Sequence, residues 1–193
     1  MTVPIEPIAI ETPRLRLRPL LDADAMDLFE IHSDRDTMRY WSTPSWTDAA
    51  EGLHLVERDR QGFLDGTAIR LGLEDRETRK VVGTCTLHNV HRTNRRAEIG
   101  YSLSRLLWGR GLMHEALTAL LAYGFTALNL HRVEADIDPR NAPSARSLER
   151  LGFVREGHLR ERWIVNGEIS DTAIYGLLRS DWDANRSRVR TGA

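Results

Sequence analysis

The chain has 193 residues, enough for about one domain of the common ~150-residue size. A domain this long buries roughly 70% of its unfolded surface and needs no disulfide or metal staple. With 41% hydrophobic residues, and 27 basic against 28 acidic side chains for a net charge of −1, the composition excludes a disordered chain and a general binder of nucleic acid or membrane surfaces.

One cysteine, Cys85, excludes an intramolecular disulfide and fits a reducing compartment. Lys80 is the only lysine, so the basic charge is arginine. The clusters Arg14, Arg16, Arg18 and Arg92, Arg95, Arg96 read as solvated faces balanced by acids, with a grip on phosphate as the sharper alternative. Met1 to Pro7 has no basic run leading into an apolar stretch, and the uncharged segment Ala116 to Leu130 is too short and broken to cross a bilayer. A cytoplasmic protein without membrane or DNA partners is expected.

In chain order, Arg14 to Arg18 alternates as a half-buried strand. Asp22 can start a helix carrying Met26, Phe29 and Ile31, and a second helix is expected after Thr47. Between them lies a loop with Tyr40, Trp41 and Trp46. Thr67–Leu73, Val81–Val90 and Arg96–Leu103 read as three successive strands. In the last, Ala97, Ile99, Tyr101 and Leu103 share one face, and Glu98, Gly100 and Ser102 the other. A long helix spans about Gly111 to Leu128, and Arg132–Asp138 alternates again. Asn141-Ala142-Pro143-Ser144 opens a helix that Gly152 closes. Strands Arg160–Val165 and Thr172–Leu178 flank a turn at Asn166-Gly167. Residues 1–183 are expected to form one mixed α/β domain, and 184–193 a polar, frayed tail.

The segment Trp108-Gly109-Arg110-Gly111-Leu112-Met113 joins a strand to the longest helix. Glycines there let backbone N–H groups turn outward, and the helix dipole favours an anion such as a pyrophosphate. A dinucleotide fingerprint needs a third glycine where His114 stands, and no Gly-Lys-Ser/Thr of a P-loop exists. A plain helix entry is the bland alternative.

At these residues the chain resembles the GNAT superfamily of acyl-CoA-dependent N-acetyltransferases, and within it the ribosomal-protein N-terminal acetyltransferase branch. The resemblance runs from Glu11-Thr12-Pro13-Arg14-Leu15 to about Trp182. The family's pyrophosphate motif, Gln/Arg-x-x-Gly-x-Gly/Ala, maps onto Trp108 to Met113, with Trp108 and Met113 as departures. Its second motif maps onto Asn141-x-x-Ser144 with Leu151-Gly152-Phe153 following. The resemblance implies a central, mostly antiparallel sheet flanked by about four helices. It also implies acetyl-CoA as co-substrate, held by Ile99, Tyr101, Trp108, Gly109, Arg110, Gly111, Leu112, Met113, Asn141 and Ser144.

Acyl transfer to an amine needs the amine neutral, and free amines are protonated near pH 7. A carboxylate can take that proton. Glu98, on the polar face just before the glycine turn, is the first candidate, against a solvent-facing residue paired to Arg95 or Arg96. Glu161 and Asp171 stand in reserve. A backbone N–H in Ile99–Ser102, where the family's strands splay, would receive the oxyanion. Family members often place a leaving-group acid, Tyr, at the position held here by Leu148; in the ribosomal branch the proposed acid is a serine, here Ser144. Ser144 serves equally well as a first-turn hydroxyl for helix N–H groups.

Tyr40, Trp41, Trp46, Trp163 and Asp171, with Glu168, are candidates to line a pocket for a cationic amine, or simply core aromatics. No metal is expected, because His88 and His91 lack a third ligand. The acceptor expected from the resemblance is a protein or peptide α-amine, a ribosomal protein among them, with a small amine (amino acid, polyamine or antibiotic) as the alternative. A non-catalytic acyl-CoA-binding or ribosome-associated module is the reading from another class. A homodimer is consistent with the family.

Overall fold

The computed structural model describes residues 3–191, with side chains described through Arg186. Strands dominate wherever apolar residues alternate: β1 Ile10–Glu11, β2 Leu15–Arg18, β3 Ile69–Asp75, β4 Val81–His91, β5 Arg96–Leu103, β6 Arg132–Ile137, β7 Val154–Val165 and β8 Glu168–Leu178. Helices are α1 Ala25–Ser33, α2 Arg35–Met38, α3 Ala50–Asp65, α4 Leu112–Thr126, α5 Ala142–Arg150 and α6 Arg179–Thr191. The eight strands form one sheet in the order β1-β2-β3-β4-β5-β6-β8-β7. Every pair is antiparallel except β5 with β6.

Alternation splits the sheet's two faces. Leu71, Cys85, Leu87, Ala97, Ile99, Val133 and Ala135 lie in one core with Leu117, Leu120 and Phe125 of α4, Leu148 of α5 and Trp182 of α6. A smaller cluster joins Leu28 of α1 and Leu55 and Val56 of α3 to Leu20 and Val81. Burying such side chains stabilises by about 1.5–3 kcal/mol each, so the helices are held by these faces.

Several elements depart from the sequence reading. The turn at Asn166-Gly167 is present, with φ of 50° and 82°, but both strands around it are longer than expected. Shifts of register between Arg155 and Gly157 and between Leu159 and Trp163 interrupt the alternation of β7 and hide its first half. Short β1 and α2 give too few residues for a periodic pattern. Where a frayed tail is expected from Ala184, the backbone follows helix α6 as far as Thr191. Trp182, its ring centroid 5.8 Å from that of Phe125 and tilted by 31°, anchors that helix on the core. The helices therefore number six among the described residues, rather than about four.

Candidate active site

The glycine turn follows β5 after one short 3-10 turn, Arg105–Leu107. Gly109 and Gly111 both have φ of 76°, a region that costs an L-residue about 1–3 kcal/mol. A Cβ on Gly109 would meet nothing within 4 Å, so conformation rather than crowding calls for glycine there. Helix α4 then starts at Leu112, whose buried side chain pins it to the core. Its first-turn N–H groups have no helical partners and carry the positive end of the dipole. Met113 is half-buried against that core, and Arg110 is exposed. Trp108, half-exposed, donates its indole N–H to the Leu103 carbonyl at 2.8 Å, tying the turn back to the end of β5.

Beside this turn the sheet opens. Parallel pairing of β5 with β6 covers only Arg96, Ala97 and Glu98 against Arg132, Val133 and Glu134. Beyond Glu98, β6 keeps its partner β8 as far as Ile137. The edge of β5 from Ile99 onward is thus left without a strand on the β6 side, although the Ile99 side chain stays in the core.

Helix α5 begins across this opening. Asn141 Oδ1 accepts the Ser144 N–H at 3.2 Å, so the asparagine caps the helix. The Ser144 hydroxyl is engaged elsewhere, 2.7 Å from the Tyr101 hydroxyl. Burial pushes the Tyr101 phenol up to about 12, which keeps it protonated at neutral pH. Tyr101 was expected only among the donor-binding residues; its link to Ser144 joins residues 43 apart and had no local signal.

Glu98 faces the other side of the sheet, opposite His88 on β4. Asn89 donates to Glu98 Oε1 at 3.0 Å. Arg96, the partner considered for Glu98, instead pairs with Glu134 at 2.8 Å. Arg132 bridges Glu134 and Glu156. Farther along the same face Arg70 donates to Thr86 Oγ1 at 2.7 Å and lies 3.2 Å from Asp59 of α3. The other Asp59 oxygen is buried without a partner, and burial pushes this carboxyl up to about 6. Burial also lowers His88 and His32, favouring neutral rings, against the pull of the Glu98 charge on His88. Asp59, Arg70 and His32 carry no mark in the sequence, and His88 is weighed there only as a metal ligand, because only α3 and α1 folding over β3 and β4 make them neighbours.

The candidate acceptor residues divide into two groups. Trp46 stacks on His32 at 4.4 Å and Trp41 meets the same ring edge-on at 5.9 Å. Trp46 also packs against the smaller core, which gives it a structural role. Tyr40 lies 5.9 Å from the Arg140 guanidinium, next to Asn141. Arg140 in turn pairs with Asp138 and with Glu168, both at 2.6 Å. The aromatic loop, the start of α5 and the β7–β8 hairpin therefore meet at one place. Trp163 donates to Thr172 Oγ1 at 3.0 Å, and Thr172 donates to Asp136 at 2.8 Å. Asp171 accepts the Glu161 N–H and contacts His158 Nε2, both at 2.8 Å. Those two contacts hold its carboxyl below the usual range and leave it poorly suited to taking a proton. Glu161 itself is exposed, at φ of 52°. Among the described residues no three His, Cys, Asp or Glu side chains gather to hold a metal, and no helix is long and apolar enough to cross a membrane.

The family model of the acetyltransferase (GNAT) domain matches residues 14–154. An uncharacterized N-acetyltransferase, p20, of Bacillus licheniformis is 37% identical over 89% of this chain and 96% of its own length. The [ribosomal protein uS5]-alanine N-acetyltransferase of Escherichia coli is 30% identical over 93% of this chain and 95% of its own. The crystal structure of spermidine N-acetyltransferase from Vibrio cholerae, in complex with CoA and spermine, superposes with a TM-score of 0.78 at 27% identity, covering 89% of this chain and 99% of that one. The chain belongs to the GNAT family of acetyl-CoA-dependent N-acetyltransferases.

Proposed function

We propose that this enzyme moves acetyl from acetyl-CoA directly to the α-amine of a protein or peptide N-terminus, without a covalent acyl-enzyme. The observation that carries the reading is the opening between β5 and β6. It begins at Glu98, is flanked by the glycine turn, and is faced by Ser144 with its Tyr101 partner. The resemblance to the uS5-alanine enzyme over 93% of the chain supports an α-amine acceptor. A small-molecule amine is the second reading, favoured by a spermidine N(1)-acetyltransferase of Vibrio cholerae that is 28% identical over 90% of this chain.

In this reading the donor's pyrophosphate rests on the N–H groups of Gly109 to Met113, where the helix dipole offsets its charge. Trp108 fixes the entry to that turn, and Asn141 and the start of α5 flank the pantetheine arm. The thioester carbonyl lies in the opening, against the unpaired backbone of Ile99 to Ser102. Glu98 takes the proton of the acceptor ammonium, directly or through one water, so that the lone pair on nitrogen is free to attack. As the C–N bond forms, carbonyl electrons move to oxygen, where a β5 N–H receives them. Collapse expels the CoA thiolate, which takes a proton from the Ser144 hydroxyl, and the Tyr101 phenol resupplies it; the second nitrogen proton, lost as the amide forms, returns to Tyr101, and Glu98 releases its own proton to solvent. Tyr40, Trp41, Trp46, Trp163 and Asp171 shape the acceptor side, where Arg140 links Tyr40 to Glu168 of the β7–β8 hairpin.

The test begins with calorimetric titration by acetyl-CoA, using ATP and NAD as controls. It is followed by turnover on N-terminal peptides and on small amines. Selective binding with faster turnover of peptides supports the proposal. Turnover confined to spermidine or amino acids establishes the second reading instead. A folded protein that binds no acetyl-CoA defeats both.

A further inference from the structure

The stretch Thr12-Pro13-Arg14, between β1 and β2, lies about a hundred residues from the glycine turn yet is bonded to it at several points. Arg14 Nη1 donates to the Arg110 carbonyl at 2.8 Å, in the middle of the turn. Its Nε donates to Glu115 Oε2 at 2.7 Å. The Arg14 backbone N–H and the Thr12 hydroxyl both donate to Glu115 Oε1, at 2.8 and 2.7 Å. Thr12 Oγ1 is itself fixed by accepting the Leu15 N–H at 3.0 Å. Glu115 sits in the first turn of α4 with 14% of its side chain exposed. Burial pushes its carboxyl up, but the bonds from Thr12 and Arg14 more than offset this and hold it ionised below the usual range.

We infer that Arg14, with Glu115 and Thr12, is a clamp that presets the backbone of the glycine turn for the donor's pyrophosphate. The inference rests on the proposed use of acetyl-CoA at this turn. In a trans peptide the C=O and the following N–H lie in one plane and point in opposite directions across the C–N bond. Holding the Arg110 carbonyl toward Arg14 therefore turns the Gly111 N–H away from Arg14, out of the clamp. The guanidinium stays beneath the turn, 3.6 Å from where a Cβ on Gly111 would stand. Two glycines at φ of 76° leave this segment little stiffness of its own, so an external tie reduces the ordering cost of binding. Glu115 neutralises Arg14, which makes the pair a positioning device rather than an added positive patch.

The clamp acts on the pyrophosphate alone, which separates it from a general stabilising contact. Acetyl-CoA and S-acetylpantetheine share the thioester and the pantetheine arm, and only the first carries the pyrophosphate, together with the 3′-phosphoadenosine beyond it. For the wild-type enzyme the first donor should have the much lower KM. Arg14→Met and the near-isosteric Glu115→Gln should each raise KM for acetyl-CoA at least tenfold, with KM for S-acetylpantetheine, KM for the acceptor and kcat within about twofold. Arg14→Lys should recover part of the loss, because an ammonium reaches the carbonyl or the carboxylate but cannot span both. Folded variants, judged by circular dichroism, that keep the wild-type ratio of the two KM values overturn the clamp. So does an equal rise for both donors. If Arg14→Met does not fold, Glu115→Gln decides the matter alone. A wild-type enzyme that does not use acetyl-CoA would instead overturn the reading on which the clamp depends.

Discussion

Glu98 and Tyr101 stand three residues apart on β5, so the alternation of a strand sends their side chains to opposite faces. Glu98 faces His88 and the α3 side, while Tyr101 reaches Ser144 at the start of α5. A carbonyl held at the edge of β5 would then meet its proton acceptor from one side and its proton donor from the other, as attack and expulsion require. Replacing Glu98 by Gln keeps the shape and removes the base. Turnover with saturating acceptor should fall roughly 10²–10⁴-fold. Full rate across pH would sink the assignment and move attention to Asp136, which lies on the next strand along that face. Tyr101→Phe leaves the ring and deletes the bond to Ser144; kcat should drop about tenfold with KM for acetyl-CoA little changed. An unchanged kcat would mean that Ser144 needs no partner.

At the scale of elements, helix packing sets how wide the acceptor side can be. Gly52 of α3 is pressed against Ala25 of α1 so closely that a Cβ would run into the Ala25 backbone carbonyl. Backbone cannot yield as a flexible side chain does, so Gly52→Ala should destabilise by about 1–3 kcal/mol through overpacking. That corresponds to a fall in Tm of roughly 2–4 °C per kcal/mol for a chain of this size, measurable by calorimetry. A variant melting at or above the wild-type temperature would show that α1 and α3 can separate without penalty. Affinity for acetyl-CoA should survive this change, because the glycine turn and α4 belong to the other core.

For the molecule as a whole, one partly buried ion pair, Arg70 with Asp59, lies where α3 covers β3. Asp59 titrates at about 6 in the folded state, above the roughly 3.9 of an unfolded aspartate, because burial disfavours its anion. The native state therefore binds more protons than the unfolded one across that interval. Its contribution is fully present below about pH 4 and is lost as pH rises through about 6. Asp138, Asp171 and Glu156 lie below their usual range and act in the opposite sense, losing stability as pH falls. The separable prediction is a difference: between about pH 4 and 7 the wild type should lose stability relative to Asp59→Asn, read from urea unfolding at each pH. Parallel pH profiles for the two proteins would show that Asp59 ionises normally.

Alternating apolar residues determined most strands, and glycines with a following apolar helix located the turn proposed to hold the pyrophosphate. Asn141 at the head of an α5 begun by Ala142-Pro143 marked the second motif. These features rest on neighbours in the chain, where steric and hydrogen-bonding preferences act directly, and they sufficed to suggest the family. The bulged first half of β7 and the short β1 and α2 were not legible, since a broken alternation or a very short element carries no period. Only the tertiary structure decided which side chains meet: Tyr101 with Ser144, Arg70 with Asp59, Arg14 with the glycine turn, Arg140 with Tyr40 and Glu168. Each pair joins segments brought together by sheet order and helix packing. A polar side chain in a sequence bears no mark of the distant partner that will satisfy it, because the need to satisfy buried polar groups acts only once the core has closed.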